Sequence, residues 1–161
     1  MLRPASADDA ELLVAWHADP EVARYWDAKV YTREAMLAKL AQPDFFPWIV
    51  EAGGEPVGYL QVWSEPGDTR TAGVDGFLVP TARGRGLMPD AARALARRLL
   101  DEGWEDVTVD PYVWNERAIR GWRNAGFVEV SRHPADDEHS AEWVLMRFAP
   151  SQVPDPAGSG T

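Results

Sequence analysis

The sequence predicts an α/β domain with a mixed central sheet flanked by helices, and three features of the chain support this. Helix-start signals fill the first part of the chain, strand-like segments fill the middle, and the last part follows a strand-helix-strand order. That order implies antiparallel neighbours in the middle of the sheet and one crossover connection. The 161 residues are enough for one hydrophobic core. We therefore expect a single domain over residues 1–149 with about six to seven strands.

The N-terminal part is predicted to hold a short strand, over residues 2–4, and three helices. Ser6 precedes a run of acidic residues, which is typical of a helix N-cap, and Thr32 stands in a similar place before an apolar stripe. Pro20 suits the first turn of the helix between them, because its missing N–H would be unpaired there in any case.

The central part of the chain changes to a strand pattern. Residues 46–52 and 57–64 are rich in aromatic and β-branched residues, and Gly53-Gly54 between them is a strong hairpin signal. A third strand is expected over 72–79. Short connections between these segments predict an antiparallel meander.

The C-terminal part is predicted to complete the sheet through a crossover helix and a final hairpin. Apolar residues recur at helical spacing after Pro89, and Asn115 and Gly126 are typical of the two ends of a later helix. The expected elements are a helix over 89–102, a strand over 107–109, a helix between Asn115 and Gly126, and strands over 127–131 and 142–148. Residues 150–161, rich in Pro, Gly and Ser, are predicted to be a disordered tail.

Composition excludes several classes of protein. The chain has no cysteine, which excludes thiol chemistry and disulfides, and its three scattered histidines predict no metal site. A formal net charge of −10 argues against nucleic-acid binding, and no stretch is long and apolar enough to span a membrane. We expect a cytoplasmic protein, monomeric or homodimeric. Acidic residues dominate 1–75, whereas 83–98 is basic, which suits a cationic ligand in one place and an anionic one in another.

The basic segment begins with a candidate anion site, Arg83-Gly84-Arg85-Gly86-Leu87-Met88, between a strand and a helix. Glycines before a helix start let a phosphate approach the unpaired backbone N–H groups, and arginines supply countercharge. The familiar nucleotide loops do not fit, since the P-loop Gly-Lys-Ser/Thr is absent and Pro89 occupies the third glycine position of the dinucleotide fingerprint. From these six residues alone, a surface loop with solvated arginines is an equal alternative.

A second motif downstream, residues 115–127, decides between the two. Together with residues 78–88 it resembles the core motifs of the GCN5-related N-acetyltransferase (GNAT) superfamily. The resemblance implies the GNAT fold and acetyl-coenzyme A as acetyl donor. It also implies that the loop of residues 83–88 binds the pyrophosphate of acetyl-coenzyme A. It also implies that Asn115 and Ala118 flank the pantetheine arm. The edge of the preceding strand would pair with the pantetheine amides through the backbones of Phe77, Leu78 and Val79.

Trp122 departs from the family pattern. It stands where many members carry a tyrosine thought to protonate the departing thiolate, and an indole N–H cannot serve as that acid. The side chain either donates a hydrogen bond to the sulfur or packs on the sheet, and both interpretations stay open. Tyr112 is a weaker candidate for the acid. Met88 and Pro89 also depart from the ideal loop and shift phosphate binding toward the arginines.

The acceptor amine must be neutral to attack a thioester, so a carboxylate near the acetyl group is expected. Asp75 and Asp110 are the candidates, at or near the ends of neighbouring strands. Their pairing, along with Gly58-Tyr59-Leu60-Gln61, resembles the aminoglycoside 6′-N-acetyltransferases. That resemblance implies that Asp75 and Asp110 hold a polycationic acceptor, with Asp75 as base and Gln61 lining the pocket.

Two of the eight tryptophans are candidates for stacking on that cation, Trp26 and Trp63. His17 and His133 are assigned surface or structural roles. Three alternatives remain: acetylation of a protein N-terminus, as the N-terminal residues resemble the ribosomal-protein branch, acetylation of a siderophore or other metabolite amine, and a non-catalytic coenzyme A binding module.

Overall fold

A computed structural model describes residues 1–153 and contains seven strands and five α-helices in that range. The strands are β1 (Leu2–Pro4), β2 (Phe45–Ala52), β3 (Glu55–Trp63), β4 (Thr71–Leu78), β5 (Asp106–Val109), β6 (Phe127–His133) and β7 (Trp143–Phe148). The helices are α1 (Ala10–Ala18), α2 (Pro20–Ala23), α3 (Arg33–Leu40), α4 (Leu87–Asp101) and α5 (Glu116–Ala125). Short 3-10 turns cover Ala7–Asp9, Pro80–Ala82 and Pro150–Gln152.

All seven strands form one sheet in the order β1-β2-β3-β4-β5-β7-β6. Only β4 and β5 run parallel, and α4 connects them, so the predicted meander and crossover unit are both present. The mixed sheet flanked by helices confirms the predicted fold class. In the described part of the chain, none of the helices is both long and apolar enough to cross a lipid bilayer.

Local signals explain the element boundaries near the N-terminus. Ser6 and Asp9 form a reciprocal capping box at the start of the first helical segment. The Asp9 carboxylate also receives two guanidinium hydrogen bonds from Arg3, at 2.8 and 2.9 Å, which tie β1 to this segment. This paired arginine lowers the pKa of Asp9. Thr32 caps α3 through the backbone N–H of Ala35, as predicted.

The two faces of the sheet carry separate apolar cores. On β3 and β4 the residues alternate, so that Leu60 and Leu78 pack in the core beneath α4 and α5, whereas Tyr59 and Phe77 pack in the core beneath α1–α3. Gln61 and Asp75 are cross-strand partners two positions from this second pair, and they therefore share the α1–α3 face. The face chosen by this alternation decides which helices surround the candidate site.

Two boundaries differ from the sequence prediction. Helix α4 begins at Leu87 rather than Pro89, because Gly86 takes a left-handed conformation and ends the preceding loop there. The segment expected to be disordered begins with a 3-10 turn at Pro150–Gln152, after which Val153 packs against the core. Residues 154–161 lie outside the described residues, and for them disorder stays a prediction.

Candidate active site

A cavity of about 280 Å³ opens where strands β4 and β5 separate. The two strands pair only over residues 71–73 and 106–108. Beyond that point, Asp75 on β4 and Asp110 at the end of β5 both line the cavity. The separated carboxyl ends of two parallel strands thus bring together two acidic groups that are 35 positions apart in the chain.

Asp75 is held by two hydrogen bonds from neighbouring side chains. Its Oδ2 accepts the Gln61 amide N–H at 3.2 Å and the Trp63 indole N–H at 3.0 Å. Burial and, after it, the nearby charge of Asp110 together raise the pKa of Asp75 to about 7, against the lowering effect of the two N–H donors. A carboxyl that titrates near neutrality can accept a proton and release it again at physiological pH.

A hydrogen-bond chain beneath Asp75 fixes the orientation of Gln61. The buried Tyr59 hydroxyl donates to the Gln61 Oε1 at 3.1 Å, which leaves the Gln61 amide nitrogen to donate to Asp75. Burial also raises the pKa of Tyr59, so its hydroxyl keeps its proton. Gln61 therefore lines the cavity, as predicted, and also positions Asp75.

The two predicted stacking tryptophans occupy different places. Trp26 lines the cavity and packs edge-on against Phe77 and His17. Trp63 is not among the lining residues. A Cβ added to Gly73 would lie 2.4 Å from the Trp63 ring, so the indole covers that glycine closely and directs its N–H to Asp75. This packing favours a role for Trp63 in positioning Asp75 over contact with an acceptor.

Lys39 introduces a positive group into the same cavity. Its ammonium donates to the Tyr31 hydroxyl at 3.1 Å and lies 5.2 Å from the centre of the Phe45 ring. Burial lowers the pKa of Lys39 to about 8. The cavity is therefore acidic on the Asp75 and Asp110 side, and on the α3 side it carries an ammonium group that loses its proton more easily than an ordinary lysine.

The backbone edge of β4 differs in detail from the prediction. The Val79 N–H donates to the Val57 carbonyl on the β3 side, at 2.9 Å. Because backbone groups alternate along a strand, Phe77 also directs its backbone groups toward β3, whereas Gly76 and Leu78 direct theirs toward the gap beside β5. This register favours Gly76 and Leu78 over the predicted Phe77 and Val79 as backbone partners for a ligand in the gap.

The glycine loop before α4 has the conformation of an anion site. Gly84 and Gly86 have φ values of +78° and +73°, which favour glycine, and α4 starts without a side-chain cap. Its first backbone N–H groups, at Leu87 and Met88, lack intrahelical partners. Pro89 follows in the same turn and supplies no N–H, so the site offers fewer donors than a regular helix start.

The two loop arginines are held differently. The Arg83 guanidinium donates to the backbone carbonyls of Leu78, at 3.2 Å, and Glu21, at 3.0 Å, and thereby ties the loop to β4 and α2. Arg85 is exposed. Arg85 is thus the arginine placed to meet an anion from solvent, whereas Arg83 chiefly shapes the loop. The occupied Leu78 carbonyl leaves Gly76 as the freer backbone position on β4.

Helix α5 forms the remaining wall. Asn115 caps it by accepting the Ala118 backbone N–H at 3.2 Å, so the predicted cap residue is correct. Trp122 is buried, packs edge-on against Phe127 with ring centres 5.5 Å apart, and also lines the cavity. Both interpretations of Trp122 are compatible with this position, because one edge packs in the core and the residue still reaches the cavity.

Comparison with known proteins assigns the family. The acetyltransferase (GNAT) domain model matches residues 5–134, which include both the glycine loop and α5. The chain belongs to the GNAT acetyltransferase family. Relatives of this GNAT acetyltransferase include the aminoglycoside N(6′)-acetyltransferases type 1 of Klebsiella pneumoniae and Serratia marcescens. Each is 28% identical to it over 167 residues, covering 92% of this chain and 83% of the relative.

Solved GNAT structures superpose on the chain over nearly its full length. The aminoglycoside acetyltransferase AAC(6′)-Ib in complex with coenzyme A and kanamycin is 26% identical, with a TM-score of 0.80 and coverage of 94% of this chain and 95% of that one. Its complex with paromomycin and acetyl-coenzyme A gives a TM-score of 0.81 at 25% identity, covering 99% and 98%. Spermidine N-acetyltransferase from Vibrio cholerae, 14% identical, shares the fold, with a TM-score of 0.80 and coverage of 94% and 96%.

Eight of the seventeen predicted site residues of this acetyltransferase meet at one cavity. Those that line it are Trp26, Gln61, Asp75, Phe77, Asp110, Asn115, Ala118 and Trp122. The glycine loop lies outside this lining, at the start of α4. Tyr112, predicted as a weaker candidate for the group that protonates the thiolate, also lines the cavity, where its hydroxyl donates to the Asp27 carboxylate at 3.0 Å.

The lining residues that sequence reasoning missed include Lys39, Gly76 and His139. Gly76 belongs to the strand whose edge is predicted to pair with the pantetheine amides, and only the register between β3 and β4 distinguishes it from its neighbours. His139 lies in a polar loop without a motif, and its contact with Asp110 spans 29 positions. No pattern in the sequence signals such a contact.

Proposed function

We propose that this GNAT acetyltransferase transfers an acetyl group from acetyl-coenzyme A to a primary amine of a polycationic small molecule, namely the 6′-amine of an aminoglycoside. The observation that carries the proposal is the pair of carboxyl groups, Asp75 and Asp110, in the cavity at the split between β4 and β5. The names of the relatives support the acceptor class, and the solved complexes of the neighbours support the acetyl donor.

Asp75 is the proposed base. An ammonium group must lose a proton before its nitrogen can attack the thioester carbon. A carboxyl whose pKa is raised to about 7 is a stronger base than an ordinary aspartate and is still substantially ionised at neutral pH. Gln61 and Trp63 hold the carboxyl by its Oδ2 and so fix its orientation toward the cavity.

Charge favours a cationic acceptor at this site. Four carboxyl groups line the cavity, at Asp27, Asp75, Asp110 and Glu138. Lys39 and Lys29 oppose them, but the pKa of Lys39 is lowered to about 8, so its charge is weak at slightly alkaline pH. The net excess of carboxylates attracts amines, and the face of Trp26 offers a cation-π contact.

The donor is proposed to lie along the gap between β4 and β5. Its pyrophosphate would meet the N–H groups of Leu87 and Met88 and the side chain of Arg85, and its amide-bearing arm would pair with Gly76. Asn115 and Ala118 lie across the gap and would flank that arm.

The reaction balances without a protein acid for the sulfur. The amine nitrogen forms a bond to the acetyl carbon, the carbon–sulfur bond breaks, and coenzyme A leaves as a thiolate. Asp75 takes the proton that the ammonium loses before attack, and the second proton released at nitrogen, or water, protonates the thiolate. Trp122 lies at the cavity wall as a hydrogen-bond donor and does not supply a proton.

Thiol release from acetyl-coenzyme A tests the proposal. The purified protein is incubated with an aminoglycoside that carries a 6′-amine and, as matched control, with one that carries a 6′-hydroxyl in its place. We expect release with the first compound only and a product acetylated at the 6′ nitrogen by mass spectrometry and NMR. Release with both compounds would indicate another amine of the ring system and would contradict the assignment of the position.

The same assay separates the alternatives. Peptides with free N-termini and small metabolite amines replace the aminoglycoside in parallel reactions. Turnover with these compounds and none with aminoglycosides would contradict the proposed acceptor. Tight acetyl-coenzyme A binding by calorimetry, with no turnover for any amine, would contradict catalysis and leave the coenzyme A binding module.

A further inference from the structure

Both lysines of the chain lie at the same cavity. The sequence contains 16 lysine and arginine residues, and only Lys29 and Lys39 are lysines. Both of them line the cavity that contains Asp75. An arginine cannot replace them in acyl transfer, because its guanidinium stays protonated in proteins. The side chains that end in a primary amine are thus confined to the place where acetyl transfer to an amine is proposed to occur.

Aromatic side chains surround the ammonium group of Lys39 on the α3 side of the cavity. The group donates to the Tyr31 hydroxyl at 3.1 Å and lies 4.8 and 5.2 Å from the ring centres of Tyr31 and Phe45. Lys39 is half-buried, whereas Lys29, on the loop between α2 and α3, is exposed. The hydrogen-bond partner of the Lys39 ammonium is a hydroxyl and not a carboxylate, so the contact does not hold the proton as an ion pair would.

The environment of Lys39 favours its neutral amine. Burial and, after it, the charge of Lys29 lower the pKa of Lys39 to about 8, against the raising effect of Asp75. The other ionisable groups facing it are Tyr31 and His17, whose pKa the Lys39 charge lowers. At pH 8 about half of the Lys39 amines are therefore neutral, compared with about 0.3% for a lysine at the ordinary value of 10.5. The neutral amine is the form that attacks a thioester.

The proposed base acts on this amine as well. The charge of Asp75 raises the pKa of Lys39, and both side chains line the same cavity. The Gln61 and Trp63 N–H groups hold the Asp75 carboxyl from β3, at 3.2 and 3.0 Å. A base fixed in this way accepts a proton from any amine that enters the cavity. Lys39 therefore meets two requirements of an acceptor, an amine that is readily neutralised and a base in the same cavity.

We propose that the acetyltransferase transfers an acetyl group to its own Lys39 when the cavity contains acetyl-coenzyme A and no other acceptor. This inference rests on the donor and the base of the proposed function, and not on the identity of the acceptor. The flexible four-carbon stem of lysine lets the amine leave the Tyr31 hydroxyl and turn toward the thioester in the gap between β4 and β5.

The self-acetylation step balances with acetyl-coenzyme A as the only co-reactant. The Lys39 ammonium gives one proton to Asp75, and the neutral Nζ forms a bond to the acetyl carbon. The carbon–sulfur bond breaks, and coenzyme A leaves as a thiolate that takes the second proton released at nitrogen. Asp75 then loses its proton to water in the cavity. The product is an uncharged N-acetyl-lysine, which leaves Lys29 as the lysine that opposes the carboxyl groups of the cavity.

Mass spectrometry of the intact protein tests the proposal. The parent is incubated with acetyl-coenzyme A at pH 8 without an acceptor, and the primary amines to be distinguished are Lys29, Lys39 and the amino terminus. We expect one acetyl group, placed on Lys39 by peptide mapping, with a rate constant that is independent of protein concentration. Lys39→Arg should stay unmodified, whereas the matched control Lys29→Arg should still be acetylated at Lys39. Acetylation of Lys29 or the amino terminus in place of Lys39 overturns the proposal.

Asp75→Asn separates transfer in the site from chemical acetylation in solution. The variant lacks the base, but it also lacks the negative charge that favours the protonated form of Lys39. Transfer in the site should therefore be slower by about a hundredfold or more. Chemical acetylation should be unchanged or faster, because the amine of the variant loses its proton more easily. Acetylation of Lys39 in Asp75→Asn at or above the parent rate overturns the proposal.

Excess coenzyme A provides a test that needs only the parent protein. Coenzyme A competes with acetyl-coenzyme A for the site, so it should slow the acetylation of Lys39 in proportion to its occupancy. A chemical reaction with acetyl-coenzyme A in solution would continue at the same rate. A rate that excess coenzyme A leaves unchanged overturns the proposal, even if the variants fold poorly.

The outcomes also distinguish this inference from the proposed function. A parent protein that acetylates Lys39 but no aminoglycoside contradicts the proposed acceptor and supports self-acetylation. A parent that acetylates aminoglycosides, yet leaves Lys39 unmodified when they are absent, contradicts self-acetylation alone.

Discussion

Replacement of Asp75 by Asn should stabilise the protein at alkaline pH while lowering its turnover. The raised pKa means that the folded state holds the Asp75 proton up to a pH of about 7, whereas the unfolded chain loses it near 3.8. Folding therefore becomes less favourable as the pH rises from about 4 to 7, because ionisation of Asp75 is easier in the unfolded chain. Asn carries no charge at any pH and removes this dependence.

The size of the effect follows from that window. Two pKa units separate pH 5 from the folded pKa of about 7, and each unit corresponds to 1.36 kcal/mol, so the parent should lose about 2–3 kcal/mol more than the variant between pH 5 and pH 8. The hydrogen bonds that Gln61 and Trp63 donate favour the ionised carboxylate, and their lowering effect is already included in the pKa of about 7. For a domain of this size the difference corresponds to about 5–10 °C in Tm.

Urea unfolding of both proteins at pH 5 and pH 8, followed by tryptophan fluorescence, measures this difference. Asp44→Asn is the matched control, since Asp44 is exposed and lies outside the cavity. In the acetylation assay we expect Asp75→Asn to lower kcat by about 10²–10⁴-fold while acetyl-coenzyme A affinity measured by calorimetry stays close to that of the parent.

Two results would refute this reasoning. If the parent and Asp75→Asn lose stability equally between pH 5 and pH 8, the pKa of Asp75 is not raised in the folded state. If the variant turns over at the parent rate across that range, Asp75 is not the base, whatever its effect on stability.

Three further predictions concern residues that support the site. Trp63→Phe removes the indole N–H that lowers the pKa of Asp75, so the acidic limb of the kcat profile should move to higher pH, and an unmoved limb would exclude this contact. Burial lowers the pKa of His17 to about 4, so the parent should lose about 3 kcal/mol of folding free energy as the pH falls from 6.5 to 4. In acid unfolding, His17→Phe should lose less stability than the parent over this range. An identical acid midpoint in the two proteins would contradict a buried neutral ring. Arg85→Ala should weaken acetyl-coenzyme A binding about tenfold without changing Tm. Arg83→Ala should lower both the affinity for acetyl-coenzyme A and Tm, because its contacts with two backbone carbonyls are lost. Equal Tm values for Arg83→Ala and the parent in calorimetric scans would show that these contacts do not stabilise the loop.

Local signals in the sequence predict the elements well because short-range physics decides them. Ser6 and Asp9 satisfy the N–H groups of their own helix start, and the Gly53-Gly54 turn and the Gly126 helix end need conformations that glycine adopts without strain. The start of α4 was wrong by two residues because Pro89 can stand within a first turn as readily as at its beginning, and the left-handed Gly86 decides between them.

Some residues of the candidate site could also be predicted from the sequence, and others could not. Asp75 and Asp110 were predicted because strand ends and alternation can be recognised along the chain, and their shared cavity follows from two adjacent parallel strands. The roles of Trp63 and Arg83 were not predictable, since each depends on contacts with residues from other elements. The indole covers a glycine of β4, and the guanidinium reaches a carbonyl of α2 that is 62 positions away.

The sequence by itself determined the order of helices and strands, the two family motifs and the pair of acidic residues, because each depends on neighbours a few positions apart. Only the tertiary structure decided which β4 backbone groups face the gap, how far the pKa of Asp75 rises, and that His139 joins Asp110 to the surface. These properties depend on register, burial and contacts between distant loops. They arise when the sheet is assembled and water is excluded from its α1–α3 face.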